Sequence, residues 1–258
     1  MIYKIDKHIT QLEHMKQYPK QLFGIGDISL LERNMISIVG TRKPISYTKM
    51  WTNSIANRLK DIGITVVSGA AMGVDSIAHS AAGYDNTIAV VANGLDIRYP
   101  SVNKHLIKHI EEQGVVISSY EIGQKATKYS FVHRNEIVVA LGDALIITQA
   151  DEKSGSLRSA EFAKSMGKPI FVLPHRLGDS KGTDNLLKNG EATAIYDIDD
   201  MIEKLGFENR IQEINDELIK FCKKEQNYEI CVSKFGNKIF EYELLGKIKV
   251  QNGKVFVV

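Results

Sequence analysis

From Met35 onward, short runs of Ile, Val and Ala alternate with stretches whose apolar residues recur every three or four positions. Met35–Val39, ended by Gly40, predicts a strand, and Thr48–Ile62 places Trp51, Ile55 and Leu59 at helical spacing. Thr65–Val67 predicts the next strand, the segment from about Asp75 to Gly83 a helix, and Thr87–Val91 a third strand. A helix over Asn103–Gln113 then leads to a strand over Val115–Ser118. Beyond it the pattern gives a short helix over Asn135–Leu141, a strand over Ala144–Thr148, a helix over Ser159–Met166 and a strand over Pro169–Leu173. Strands that are almost wholly apolar belong to a parallel sheet covered by helices on both faces. The expected fold is therefore α/β: an extended Rossmann-like, doubly wound, mainly parallel sheet, with ligands at the carboxyl ends of its strands.

The ends of the chain read differently. Residues 1–34 are mixed and polar, with a Tyr18-Pro19 break, and are expected to form a lead-in that packs against the domain over 35–209. Residues 210–258 change character again. Ile211–Lys224, Tyr228–Phe235 and Lys238–Leu245 predict three short helices, and Lys247–Val258 a β-hairpin whose Asn252-Gly253 suits the positive φ angles of a type I′ turn. Three helices and a terminal hairpin describe a small winged-helix-like module.

Composition narrows the class. The 258 residues are 43% hydrophobic and 25% charged, with a formal net charge of +2, as in an ordinary globular protein. So small a net charge means that any nucleic-acid surface must be built by concentrating cations on one face. No apolar run approaches the roughly 20 residues of a membrane span, and residues 1–34 lack a signal peptide's apolar core. With Cys222 and Cys231 the sole cysteines, buried thiols are expected rather than disulfides or zinc, and the compartment is read as the cytoplasm.

The strand-ending loops carry the candidate chemistry. Gly40-Thr41-Arg42-Lys43 follows the first strand, with a glycine for close backbone approach, a hydroxyl and a planar cation. Ser68-Gly69 opens a small-residue loop that runs to Asp75, Gly94–Pro100 carries Arg98 and Tyr99, and Ser154-Gly155-Ser156 opens another helix. Singly, each is also explained by turn or N-cap chemistry; gathered at one sheet edge they describe an anion pocket. No Gly-x-x-x-x-Gly-Lys-Ser/Thr loop or Gly-x-Gly-x-x-Gly turn is present, and no cofactor is expected. The segment Lys125–Asn135 interleaves Lys128, His133 and Arg134 with Tyr129 and Phe131, the combination that neutralises phosphates and stacks unpaired bases, unless Phe131 is simply core.

These motifs resemble the DNA-processing protein DprA (Smf) family, the recombination mediators of natural transformation. The resemblance is carried by Ile38-Val-Gly-Thr-Arg42, Ser68-Gly-Ala-Ala-Met-Gly-Val-Asp75, Gly94-Leu-Asp-Ile-Arg-Tyr-Pro100, Phe131-Val-His-Arg-Asn135, Ser154-Gly-Ser-Leu157 and Gly182-Thr-Asp-Asn185 with Gly190. It implies a non-enzymatic, homodimeric protein that binds single-stranded DNA in a basic pocket and helps load RecA recombinase. Arg42 and Lys128 would hold phosphates and Phe131 would lie beside a base. Gly40, Thr41, Ser68 and Gly69 would form the cradle, with Lys43, Arg98, Arg134, Asn135, Ser154, Gly155 and Ser156 completing the surface. Met72 and Glu136 stand where many relatives carry arginine, which weakens the expected field. The acids Glu241 and Glu243 disfavour duplex reading by the C-terminal module, which suits a protein contact better.

Two other readings use the same pocket. A phosphoribohydrolase-like enzyme would need Pro-Gly-Gly-x-Gly-Thr-x-x-Glu, but Ser159 occupies the glutamate position and Glu161 is out of step. A nucleotide-sensing module would bind a small phosphorylated ligand without chemistry.

Overall fold

The structure is a computed structural model and describes residues 1–207 and 217–258. The chain divides into a large N-terminal unit and a small C-terminal one.

The large unit is built on one sheet. Its strands are β1 (Tyr3–Lys4), β2 (Phe23–Gly26), β3 (Met35–Val39), β4 (Thr65–Ser68), β5 (Thr87–Val90), β6 (Val115–Ser118), β7 (Ala144–Ile147), β8 (Ile170–Val172) and β9 (Thr193–Ala194). Their order is β1-β2-β6-β5-β4-β3-β7-β8-β9. All pairings from β6 to β9 are parallel; β2 runs antiparallel to β6, and β1 antiparallel to β2. Side chains alternate between the two faces, as the pleat dictates. Met35, Val67, Ile88, Val90, Leu145 and Ile147 pack on one face, and Ile36, Ile38, Val66, Ile146 and Phe171 on the other. Each fully buried Ile among them stabilises the fold by about 1.5–3 kcal/mol.

Helices cover both faces. On the second lie α1 (Ser46–Asp61), α2 (Val74–Ala82) and, towards β6, α3 (Lys104–Gln113). The first carries α4 (Lys128–Leu141), α5 (Gly155–Ser165), Leu186 of α6 (Lys181–Lys188) and the N-terminal segment through Leu12, Leu30 and Leu31. A last helix of this unit, α7 (Ile198–Lys204), places Met201 and Ile202 in the second layer. The doubly wound, mainly parallel α/β fold is as expected. The first residues do more than pack against it, because they supply strands to the sheet.

Two helices start earlier than the hydrophobic pattern predicts, for a capping reason. Thr127 caps α4 by accepting from Ser130 N (3.2 Å), while Ser130 Oγ accepts from Thr127 N (2.7 Å). Ser154 caps α5 by accepting from Leu157 N (3.3 Å). The cation–aromatic segment is thus largely helix, and α6, β9 and α7 are additional to the elements expected.

In the small unit, α8 (Glu217–Lys224), α9 (Tyr228–Phe235) and α10 (Lys238–Leu244) precede the hairpin of β10 (Ile248–Gln251) and β11 (Lys254–Val257). Residues 211–216 of the expected first helix lie outside the described residues. Asn252 and Gly253 take φ of +53° and +71°, the turn their identities predict. Leu218, Cys222, Cys231, Ile239, Ile248 and Val255 form the unit's own core, in which the two sulfurs lie 3.5 Å apart without a bond between them. Among the described residues, no helix is long and apolar enough to cross a membrane.

Where α4 ends, Gly142 lets the backbone pass against β3: a Cβ there would stand 2.6 Å from Ser37 N. Ser37 Oγ donates to Val138 O (2.6 Å) in the same contact. Gly142→Ala is expected to lower unfolding stability by about 1–3 kcal/mol through overpacking, read as a reduced urea midpoint with an unchanged m-value.

Candidate nucleic-acid interface

The strand order reverses between β3 and β7, and the loops that leave their carboxyl ends diverge around a cleft of about 580 Å³. This is the switch point at which an open α/β sheet binds ligands. Gly40, Thr41, Arg42 and Lys43 line one wall, Ser154, Gly155 and Ser156 another, and Gly69, Arg134 and Asn135 the floor between them.

The first loop is clamped from both sides. Thr41 N donates to Gln149 O (2.8 Å), Thr41 O accepts from Val74 N (3.1 Å), and Thr41 Oγ1 accepts from Lys43 N (3.2 Å). Buried Gln149 accepts at Oε1 from Ile45 N (3.1 Å) and Thr48 Oγ1 (2.9 Å) and donates to Asp179 O (3.2 Å). Gly73 completes the clamp: its φ is +82°, and a Cβ would stand 2.6 Å from the Arg42 carbonyl carbon. Arg42 and Lys43 therefore project, exposed, from a turn that is already ordered, so binding them spends little entropy on the loop.

The second loop spends its donors internally. Asp75 Oδ2 accepts from Gly69 N (3.2 Å) and Ala71 N (3.3 Å), and His79 Nε2 accepts from Ala70 N (3.3 Å). Asn103 Nδ2 donates to Ala70 O and Ala71 O. Arg134, buried, donates to Gly69 O and to Val90 O (3.1 Å). Burial raises the Asp75 pKa, and the Arg134 charge and the two amides oppose that. Asp75, His79, Asn103 and Gln149 were not singled out by sequence reasoning; the sole cue is a polar residue on an otherwise apolar element.

Several expected residues are placed differently from the expectation. Ser68 is fully buried, and its hydroxyl donates to Ile38 O (2.6 Å), so it is a strand anchor rather than part of an open cradle. Gly69 reaches the cleft, but its N–H and C=O are both occupied. Arg134 carries a charge that the fold consumes. Arg98 lies outside the cleft, its guanidinium held by both oxygens of Glu111 (3.0 and 3.1 Å from Nε), which raises its pKa. Glu136 accepts from Lys16 N (3.2 Å) and lies 3.8 Å from His133, facing the N-terminal segment. Glu161 pairs with Arg158 (2.9 Å) and does not line the cleft.

Phe131 is half-buried, neither core nor free ring. The Arg42 guanidinium carbon lies 5.9 Å and that of Arg134 5.8 Å from its centroid, and Tyr99 is 6.0 Å away at a tilt. Lys128 stands exposed at the first position of α4, one turn before Phe131. At α5, the N–H groups of Gly155 and Ser156 occupy the first turn, where helix geometry leaves donors for an anion. A cation, an aromatic face and a helix N-terminus thus border one opening. No group of three or more His, Cys, Asp or Glu among the described residues is arranged for a metal ion.

His79 gives the second loop a pH signature. Nε2 accepts from Ala70 N, and Nδ1 faces Thr87 Oγ1 (2.7 Å), which itself donates to Val66 O (2.8 Å), so the ring is neutral with its proton on Nδ1. Burial, helped by the Arg134 charge, pushes its pKa down to about 3. The folded protein then binds fewer protons than the unfolded chain below the unfolded pKa of about 6.5. Stability contributed by His79 is present above that pH and is lost as pH falls towards about 3. Urea titrations between pH 7 and 4 should show this loss, at up to about 1.4 kcal/mol per pH unit, and His79→Gln should flatten it.

Comparison with known proteins follows the same outline. The family model for DNA recombination-mediator protein A matches residues 1–206. DNA processing protein DprA of Bacillus subtilis (strain 168) is 35% identical over 196 residues, 74% of this chain and 66% of that protein. Protein Smf of Synechocystis is 37% identical over 175 residues, 66% of this chain and 44% of that protein, so the chain spans about half to two thirds of these relatives. Among solved structures, DNA processing protein A of Helicobacter pylori, described for its unique single-stranded DNA binding mode, superposes with a TM-score of 0.77 and 40% identity, covering 79% of this chain and 95% of that one. The Streptococcus pneumoniae DprA structure gives 0.73 and 31%, covering 79% and 73%. With this fold, this cleft and these matches, the chain belongs to the DNA recombination-mediator protein A family.

Proposed function

We propose that the chain binds single-stranded DNA along the cleft between β3 and β7 and helps load RecA recombinase onto it during natural transformation. The reading is of a binding protein rather than an enzyme, acting in the cytoplasm as a homodimer. The observation that carries it is Arg42 placed 5.9 Å over Phe131, a phosphate-neutralising cation beside a ring that stacks on an unpaired base. Affinity is mainly electrostatic, with Lys43 and Lys128 adding backbone contacts and the first turn of α5 a phosphate site. The family resemblance supports RecA and the dimer; the H. pylori relative supports the strand as ligand.

Anisotropy titrations with labelled oligonucleotides at several salt concentrations test this reading. The full chain should prefer a single strand to its duplex, and a mononucleotide should compete weakly. Arg42→Ala and Lys128→Ala should each weaken binding for all sequences and reduce the slope of log K against log salt by about 0.7. Phe131→Ala should weaken binding by about 1–3 kcal/mol while leaving that slope unchanged. A strand affinity insensitive to salt in the parent protein overturns the electrostatic cleft.

A further inference from the structure

Beside the cleft lies a narrow recess bordered by Arg42, Met72, Asn93, Tyr99 and Phe131. Its volume is about 30 Å³, room for one group the size of a water molecule and not for an aromatic ring. Asn93 is 1% exposed. Its Nδ2 donates to Gly94 O (2.9 Å) and to Ile97 O, so both amide protons are turned into its own loop. A flipped amide would set its oxygen against those two carbonyls, which fixes the assignment. Oδ1 remains, buried and with no donor among the described residues. A buried acceptor without a partner is uncommon and calls for one.

We infer that this recess reads one base of the bound strand by taking its exocyclic amino group, with Asn93 Oδ1 as acceptor. The inference rests on the reading of the cleft as a single-strand site. Phe131 and Tyr99, 6.0 Å apart, stand at the recess and give the ring of that base an aromatic surface outside it, within reach of the phosphate held by Arg42. Cytosine, adenine and guanine each present a protruding amine of the right size and donor character. Thymine and uracil present a carbonyl oxygen at the corresponding pyrimidine position, acceptor against acceptor. A site built around a buried polar atom rejects the base that leaves it unpaired. Met72 and Tyr99 are the exposed side chains at its rim, and their displacement admits the amine.

The test compares oligo-dC with oligo-dU of equal length at pH 7.5, binding to the full chain. The two differ at the C4 substituent and the N3 proton, and homopolymers make the register irrelevant. Oligo-dC is expected to bind about tenfold tighter, and oligo-dC carrying N4,N4-dimethylcytosine should lose that advantage with the protein unaltered. Asn93→Ala should bind the two strands equally, with its thermal midpoint recorded as the check on folding. Equal, salt-sensitive affinity for oligo-dC and oligo-dU overturns the amine recess while leaving the single-strand reading intact. Failure to bind either strand overturns that reading, and the recess with it.

Discussion

A buried guanidinium is costly unless its charge and its protons are all used, and Arg134 is the point at which this fold meets that cost. It reaches from α4 across the ends of two neighbouring strands, donating to Gly69 O after β4 and to Val90 O in β5. Opposite it, Asp75 holds the amides of Gly69 and Ala71. One charge pair, spaced across Gly69, thereby fixes a helix, two strand ends and the loop between β4 and α2. The Phe131 ring lies one turn earlier on the same helix, and Arg42 is set over that ring by the loop that Thr41 and Gln149 clamp. Removing either member of the pair would leave the other buried and uncompensated.

This separates two uses of charge that sequence alone cannot separate. Arg42, Lys43, Arg98, Lys128 and Arg134 are all cations in or beside loops. The structure commits Arg134 to the floor and Arg98 to Glu111, leaving Arg42, Lys43 and Lys128 exposed. A surface of small net charge thus concentrates its uncommitted cations by pairing the others. Glu136, expected to weaken the field, is engaged with the N-terminal segment through Lys16 N.

The fold was legible because parallel strands announce themselves: Met35–Val39 and Ala144–Ile147 are buried on both faces and leave no room for polar residues beyond Ser37. The loops that gather at the switch point were legible too, since glycine and hydroxyl residues follow those strands. What stayed hidden depends on partners distant in sequence. Ser68 looks like a cradle residue until Ile38 O is seen to take its proton, and Gln149 looks ordinary until its amide is found joining three segments. The early start of α4 escaped because its cap uses Ser130 where the familiar box has a carboxylate or amide.

The antiparallel strand β2 has a further consequence, for the order in which the protein is assembled. Its one parallel-sheet neighbour is β6, paired from Phe23↔Ser118 to Gly26↔Val115. At bacterial translation speeds of about 5–20 residues per second, β2 waits on the order of 5–20 s for that partner to be made. Throughout that interval its backbone donors and acceptors have no template in the nascent chain. The segment's composition suits such a wait: Phe23-Gly-Ile-Gly26 is short and half glycine, a poor seed for pairing with other chains. The strand that closes one edge of the sheet is thus among the earliest made and among the last to find its place.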